Sequence, residues 1–397
     1  MNMFEGAGRL PALQYPLVEV ASSTQADAAL AVAELAAALA RADLECVLFF
    51  CSASYELPAL AAQMERQFVG RKVVGCTTCG EITEHGYSRN SILALGFSKH
   101  AFTLESQRVA LDNFSLNQAQ SLVSGLVSRC NQRAIAPVAG NSFVLTLIDG
   151  LSPKEELFLA ILNAALGKIP HFGGSAGDDV NLGFTHVYCD GSFHSDSAVV
   201  VMINTLCPFE VFTTHHIQSL EQKLVVTLAD SDKRRVYELN AEPAALVYAR
   251  EAGLPLEQLQ PEVYALHPLA VLIGADYYVR SIQKVNEDLS LDFYCAVDCG
   301  IVLTAMEPGD LLASVEAKLE SLKTRLGEPE LVLGCDCFLR ELESDKRDLK
   351  ASLNALFKRF RLVGFNTYGE QLNGVHMNQT LTGVMIGRPR FKGGQHE

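Results

Sequence analysis

The chain has 397 residues, of which 49% are apolar and 20% charged, and a formal net charge of −14. That length exceeds one ordinary core, so two domains are expected, and the composition excludes a disordered chain. The acidic balance, with no Lys/Arg stretch to track phosphates, argues against nucleic acid and against anionic membrane surfaces as partners.

The first sixteen residues contain Glu5 and Arg9 and no continuous apolar stretch, so they do not read as a secretory signal. The expected location is cytoplasmic. The run from Ala29 to Ala40 is broken by Glu34 and is too short to span a bilayer. Eleven cysteines, an odd number, in a chain expected to stay reduced argue against a disulfide framework. Metal, redox or core roles remain for them.

In chain order, the spacing predicts a helix over 26–42, a buried strand over 47–51, a helix over 57–68 and a strand over 71–75. A strand over 91–97, a helix over 115–132 and a strand over 141–148 follow. Asp149-Gly150-Leu151-Ser152-Pro153 then turns into a helix, with Ser152 as the expected N-cap and Glu155 and Glu156 in the first turn. Residues 170–179 read as a Gly-rich loop and 197–205 as a strand. The charge run Asp230-Ser231-Asp232-Lys233-Arg234-Arg235 reads as a domain boundary. Beyond it come a helix over 242–251, strands over 269–273, 277–282 and 290–297, and a helix over 310–325. A strand over 331–334, a helix over 345–357, and strands over 362–365 and 380–386 complete the pattern. Alternating strands and helices predict an α/β (mixed α+β) protein built as two related layered modules, 26–229 and 234–386.

Two segments carry the most information: Val74-Gly75-Cys76-Thr77-Thr78-Cys79-Gly80-Glu81-Ile82 and Val363-Gly364-Phe365-Asn366-Thr367-Tyr368-Gly369-Glu370-Gln371. Each follows an apolar run, so each is expected at the carboxyl end of a strand, where α/β proteins place ligands. Cys76, Thr77, Gly80 and Glu81, and Thr367, Tyr368, Gly369 and Glu370, are the candidate ligand contacts. Gly173, Gly174 and Ser175 of the Gly-rich loop join them. That loop lacks Gly-Lys-Ser/Thr, so it is no P-loop, and Asp178 and Asp179 would repel a phosphate.

Cys76-x-x-Cys79, Cys295-x-x-x-Cys299 and Cys335-x-Cys337 could supply a structural zinc site from two pairs, or could be buried core thiols. Cys335 and Cys337, two apart on a strand, are not expected to bridge each other. A thiol hydrolase would need Cys76, a histidine and Glu81 to meet. No kinase, cyclase or DNA-binding motif is visible, so output is expected to pass through a partner.

These segments, with Arg235-Val236-Tyr237-Glu238-Leu239-Asn240, Leu266-His267-Pro268-Leu269, Tyr278-Val279-Arg280 and His376-Met377-Asn378-Gln379-Thr380, resemble the FIST sensory family with its N- and C-terminal modules. Cys79 stands where a small residue such as Ala is commoner in that family. Gly334-Cys335-Asp336-Cys337-Phe338-Leu339-Arg340 looks most like the NosP branch, haemoproteins that sense nitric oxide and regulate histidine kinases. The resemblance implies haem b, nitric oxide as ligand and a histidine kinase as partner; a homo-oligomer is compatible with it. His376 is then the first candidate for the iron ligand and His267 the second, with Arg280 and Arg340 expected to pair either with Glu81 and Glu370 or with haem propionates. The alternative within the family is a haem-free sensor of a small metabolite such as an amino acid.

Overall fold

The computed structural model describes residues 16–133, 135–179 and 181–389. Residues 1–15, nearly all of the stretch read as lacking a signal, and the tail from residue 390 onward lie outside them. No helix among the described residues is long and apolar enough to cross a membrane.

The expected mixed architecture of strands and helices is observed, and most predicted elements fall within a few residues of their expected bounds. Three differences matter. The helix expected from Pro153 starts later, at Glu155–Leu166, with Lys154 rather than Ser152 at its N-cap. The Gly-rich loop is largely the strand His171–Ser175. Its glycines allow close approach: a Cβ on Gly173 would lie 2.2 Å from Thr146 O, and one on Gly174 would lie 2.7 Å from the Thr367 side chain. The helix expected over 345–357 is two helices, Phe338–Lys346 and Lys350–Phe360.

The two signatures belong to a repeat of three. Each of three six-stranded sheets has the same order. In the first, Val18–Ser23, Ile92–Ser98, Leu44–Ser52 and Lys72–Thr78 lie side by side. In the second the equivalents are Phe102–Ala110, Ser197–Thr205, Ser142–Ile148 and His171–Ser175. In the third they are Phe209–Thr214, Leu381–Gly387, Pro329–Cys337 and Leu362–Thr367. The last two strands of each set are parallel and joined by a helical crossover, of one helix in the first two units and two in the third.

A hairpin lent by another unit completes each sheet. Glu81–Thr83 of the first unit pairs with Leu362–Thr367 of the third. Glu370–Leu372 of the third pairs with His171–Ser175 of the second. Val187–Cys189 of the second pairs with Lys72–Thr78 of the first. The exchange closes a ring. Its inner core draws on all three sheets, including Phe50, Cys76, Leu145, Phe172, Cys335 and Phe365. Phe50 and Phe365 stack with centroids 4.2 Å apart across two units, worth about 1 kcal/mol beyond their burial.

The third unit carries an insertion over 217–308, a separate sheet in which Ile217–Asp230 pairs with Arg235–Leu239 and with Val302–Pro308. Its own core gathers Leu224, Val236, Val247, Tyr248 and Phe293. The charge run expected as a boundary is the turn between two paired strands of this sheet. After the insertion, Asp310 caps the helix Leu311–Leu326 through Ala313 N–H at 2.9 Å.

Candidate functional site

The signature loops sit at strand ends, as expected, and they meet one another at the centre of the ring. Asn366 N–H donates to Gly80 O at 2.8 Å, and Ser175 N–H donates to Gly369 O at 2.8 Å. Thr77 N–H donates to His186 O at 2.9 Å. Thr78 and Glu81 share a hydrogen bond, and so do Thr367 and Glu370, three residues apart in each loop. Glu81 also meets Ser91, and Glu370 Oε2 accepts from Thr380 N–H and Oγ1. Burial pushes each carboxyl up to about 8 against these hydrogen bonds. Tyr368 hydrogen-bonds to Asp178. The candidate contacts Cys76, Thr77, Gly80, Glu81, Gly173, Gly174, Ser175, Thr367, Tyr368, Gly369 and Glu370 therefore lock the three units together. All are buried, and none lines the cavity described below.

The six paired cysteines do not converge. Cys76 and Cys335 lie in the inner core, while Cys79 and Cys337 pack with Tyr294, Phe338 and Tyr368. Cys299 is exposed on the inserted sheet. All eleven cysteines are free thiols. Burial pushes the Cys76 thiol well above its usual range, and among the described residues it makes no hydrogen bond to a histidine. A hydrolytic triad at Cys76 is not assembled.

A cavity of about 400 Å³ opens where the inserted sheet meets the ring. Its walls come from Phe209–Thr214, from Asp276–Val279, from the helix Leu311–Leu326 and from the hairpin Glu370–Leu372/Val375–Met377. Tyr277, Tyr278, Val375 and Met377 give it apolar surface; Asp276 and Lys318 give it charge of both signs. Neither charge makes an ion pair among the described residues. Tyr278 and Met377 stand in the quoted family segments but not as ligand contacts, and Asp276, Tyr277, Lys318 and Val375 carry no motif.

His376 faces away from this cavity. Successive strand residues point to opposite sides, so Val375 and Met377 line the cavity and His376 turns into the protein. There Gln371, its cross-strand partner, donates to Glu155 Oε1 at 2.9 Å. His376 Nε2 lies 3.5 Å from Glu155 Oε2, and Nδ1 lies 3.4 Å from Glu156 Oε1. Cys295 Sγ is 3.5 Å from the same Nδ1. Arg234 reaches Glu156 Oε2 at 2.6 Å. Burial opposes a charge on His376, but the Cys295 sulfur and the Glu155 carboxylate outweigh it and raise its pKa well above the usual histidine range. Burial likewise pulls Glu156 upward, yet His376 and Arg234 together hold it far below the usual carboxylate range. Glu155 and Glu156 were visible in the sequence only as first-turn charges, and Arg234 only as part of a charge run.

The other candidates are scattered. His267 is half-buried at the C-cap of Pro261–Leu266, and its carbonyl accepts from Tyr248 at 2.9 Å. Arg280 donates to the His376 carbonyl at 3.4 Å. Arg340 is buried against Asp336 at 2.7 Å and His216 at 3.1 Å, and His216 in turn meets Glu343 at 2.7 Å. His171 is buried on Thr146 at 2.8 Å, and burial lowers its pKa to about 4.

This arrangement does not fit a haem. Iron needs an imidazole nitrogen facing an open apolar slot. Nε2 of His376 instead faces Glu155 and the Gly369 backbone, where even a Cβ would lie 1.9 Å away. Arg340 is committed to Asp336, and His267 is not part of the cavity wall.

The FIST N domain is matched over residues 45–242 and the FIST C domain over 244–373. No curated protein matches the chain. The matched ranges meet at residues 242–244, within the inserted sheet and one strand beyond the charge run. With the ordered motifs of both modules in place, the chain belongs to the FIST family of signal-transduction sensor domains.

Proposed function

We propose that this sensor binds a small zwitterionic metabolite, of the size and charge of an amino acid, in the cavity between the inserted sheet and the ring. One observation carries the reading: Lys318 and Asp276 line the same cavity of about 400 Å³, and among the described residues neither makes a direct ion pair, although Lys318 acts on Glu210 and Asp276 on His215 through their charge. A carboxylate on the ligand would answer Lys318, and an ammonium would answer Asp276. Tyr277 and Tyr278 would cover its apolar part.

The hairpin Glu370–Leu372/Val375–Met377 then carries the signal. One face touches the ligand through Leu372, Val375 and Met377; the other holds Gln371 and His376 against Glu155. A ligand that presses on the first face changes the packing of the second, which gives two states with different contacts. The state passes to a partner, and a histidine kinase is the class that the family resemblance points to.

Thermal-shift and calorimetric titration of the full chain with a panel of amino acids and related zwitterions tests this. At least one should bind with one-to-one stoichiometry. Lys318→Ala should weaken it by at least about tenfold, the scale of one charge-assisted hydrogen bond. An unchanged affinity in that variant, or no binder in the panel, would sink the reading. A Soret band that shifts on nitric oxide, in protein expressed with haem, would return the weight to haem sensing.

A further inference from the structure

Glu156, Cys295 and His376 come from three separate parts of the fold. Glu156 lies in the first turn of Glu155–Leu166, Cys295 follows the strand Leu291–Phe293 of the insertion, and His376 sits on the lent hairpin. One ligand atom from each lies within 4.8 Å of the other two. We propose that these three side chains form a binding site for a divalent transition metal of the zinc type.

The distances suit that chemistry. Zinc bonds of about 2.0–2.3 Å to nitrogen, oxygen and sulfur, opened tetrahedrally, separate neighbouring donors by about 3.3–3.6 Å. His376 Nδ1 lies 3.4 Å from Glu156 Oε1 and 3.5 Å from Cys295 Sγ. A set of one nitrogen, one sulfur and one oxygen selects zinc, cobalt or a similar ion over magnesium or calcium, which take oxygen. Ala296 N–H already donates to Glu156 Oε1 at 2.8 Å, and a carboxylate oxygen keeps a further lone pair for a metal.

The surroundings also suit it. Glu155 Oε2 and His376 Nε2 are both buried without a hydrogen-bond partner, and they lie 3.5 Å apart. With Nδ1 on a metal, the proton sits on Nε2 and points at Glu155. That is the carboxylate–histidine–metal arrangement that fixes ring tautomer and orientation. Arg234, 2.6 Å from Glu156 Oε2, holds the carboxylate with its other oxygen toward the site. Cys295 Sγ now donates to Asn378 Oδ1 at 3.1 Å, and Arg234 lies 3.7 Å from Glu155 Oε2; a metal would take the thiolate and leave Glu155 to the His376 ring. The Glu156 side chain is 30% exposed, which leaves an entry path. Three protein donors leave a fourth position for water or another small ligand.

The site lies on the other face of the hairpin from the metabolite cavity and shares no residue with its lining. Of the six cysteines weighed as zinc ligands or core thiols, this mixed site uses one, Cys295.

The test uses the full chain, stripped by a chelator and titrated with Co²⁺. One equivalent should bind and give the visible bands of a tetrahedral ion with a thiolate charge-transfer band, and Zn²⁺ should displace it. His376→Ala and Cys295→Ser should each weaken cobalt binding by at least about 100-fold, and Glu155→Gln by about tenfold, as for partners of a ligating histidine. Cys299→Ser, at an exposed thiol, should change nothing. If Cys295→Ser does not fold, Glu156→Gln should weaken cobalt binding while the thiolate band stays, and unchanged affinity in that variant would overturn the proposal. A thiolate band that persists in Cys295→Ser, a loss of binding in Cys299→Ser, or no one-equivalent binding at all would overturn the proposal.

Discussion

Gly364→Ala should destabilise the protein by more than about 4 kcal/mol, enough to leave most of it insoluble or unfolded. Gly364 pairs with Gly334 in the parallel strands Leu362–Thr367 and Pro329–Cys337. A Cβ at Gly364 would stand 1.8 Å from Gly334 O and 2.7 Å from Gly334 C. Those are backbone atoms of a central strand, held on its other edge by Leu381–Gly387, so they cannot swing aside as a side chain would. The strands must separate, and the hub contact from Asn366 to Gly80 two residues later goes with them. Urea unfolding of the purified variant, or its soluble yield if none can be purified, measures the effect. A midpoint within about 1 kcal/mol of the parent would mean that the strands do not approach this closely.

Glu370→Gln should make the protein more stable than its parent at alkaline pH and leave it nearly unchanged near pH 5. Burial raises the Glu370 pKa to about 8 in the folded state, from about 4.5 in the unfolded chain. Between those values the folded protein keeps a proton that the unfolded chain has released. The stability that the protonated form supplies is complete below about 4.5 and is lost as pH rises through about 8. That span sets an upper limit of about 5 kcal/mol. Glutamine copies the protonated acid: its amide donates to Thr367 Oγ1 while its oxygen accepts from Thr380 N–H and Oγ1. Chemical denaturation from pH 5 to pH 9 should show the variant gaining on the parent across this window. Parallel curves would mean that Glu370 is ionised in the folded state, which would undo the case for a protonated lock at the hub.

Glu81 makes the same arrangement with Thr78 and Ser91, and its pKa is also raised to about 8. The equivalent place in the second unit holds Asp178, which accepts Leu182, Gly183 and Phe184 N–H groups at 2.9, 2.6 and 2.9 Å. The repeat thus conserves a carboxyl at each strand end while changing what satisfies it. The second unit is hard to read as a repeat because Ser175-Ala176-Gly177-Asp178 shares only its glycine with Thr78-Cys79-Gly80-Glu81 and Thr367-Tyr368-Gly369-Glu370, and elsewhere at most residue class.

The sequence by itself determined the local structure and the family. Apolar runs such as Leu44–Ser52 and Ser142–Ile148 are buried along their length and read as strands, and the spacing in Leu311–Leu326 reads as a helix with Asp310 before it. The turn chemistry put both signatures at strand ends. Tertiary structure alone decided what those ends meet. Periodicity records which face of an element is buried, not which distant strand covers it, so the exchange of hairpins left no trace in the spacing. For the same reason His376 was legible as a notable histidine, but its direction was not. The strand alternation turns it from the cavity toward Glu155, Glu156 and Cys295, three residues that share no motif and meet only because a lent hairpin, a helix start and an inserted sheet pack at one point.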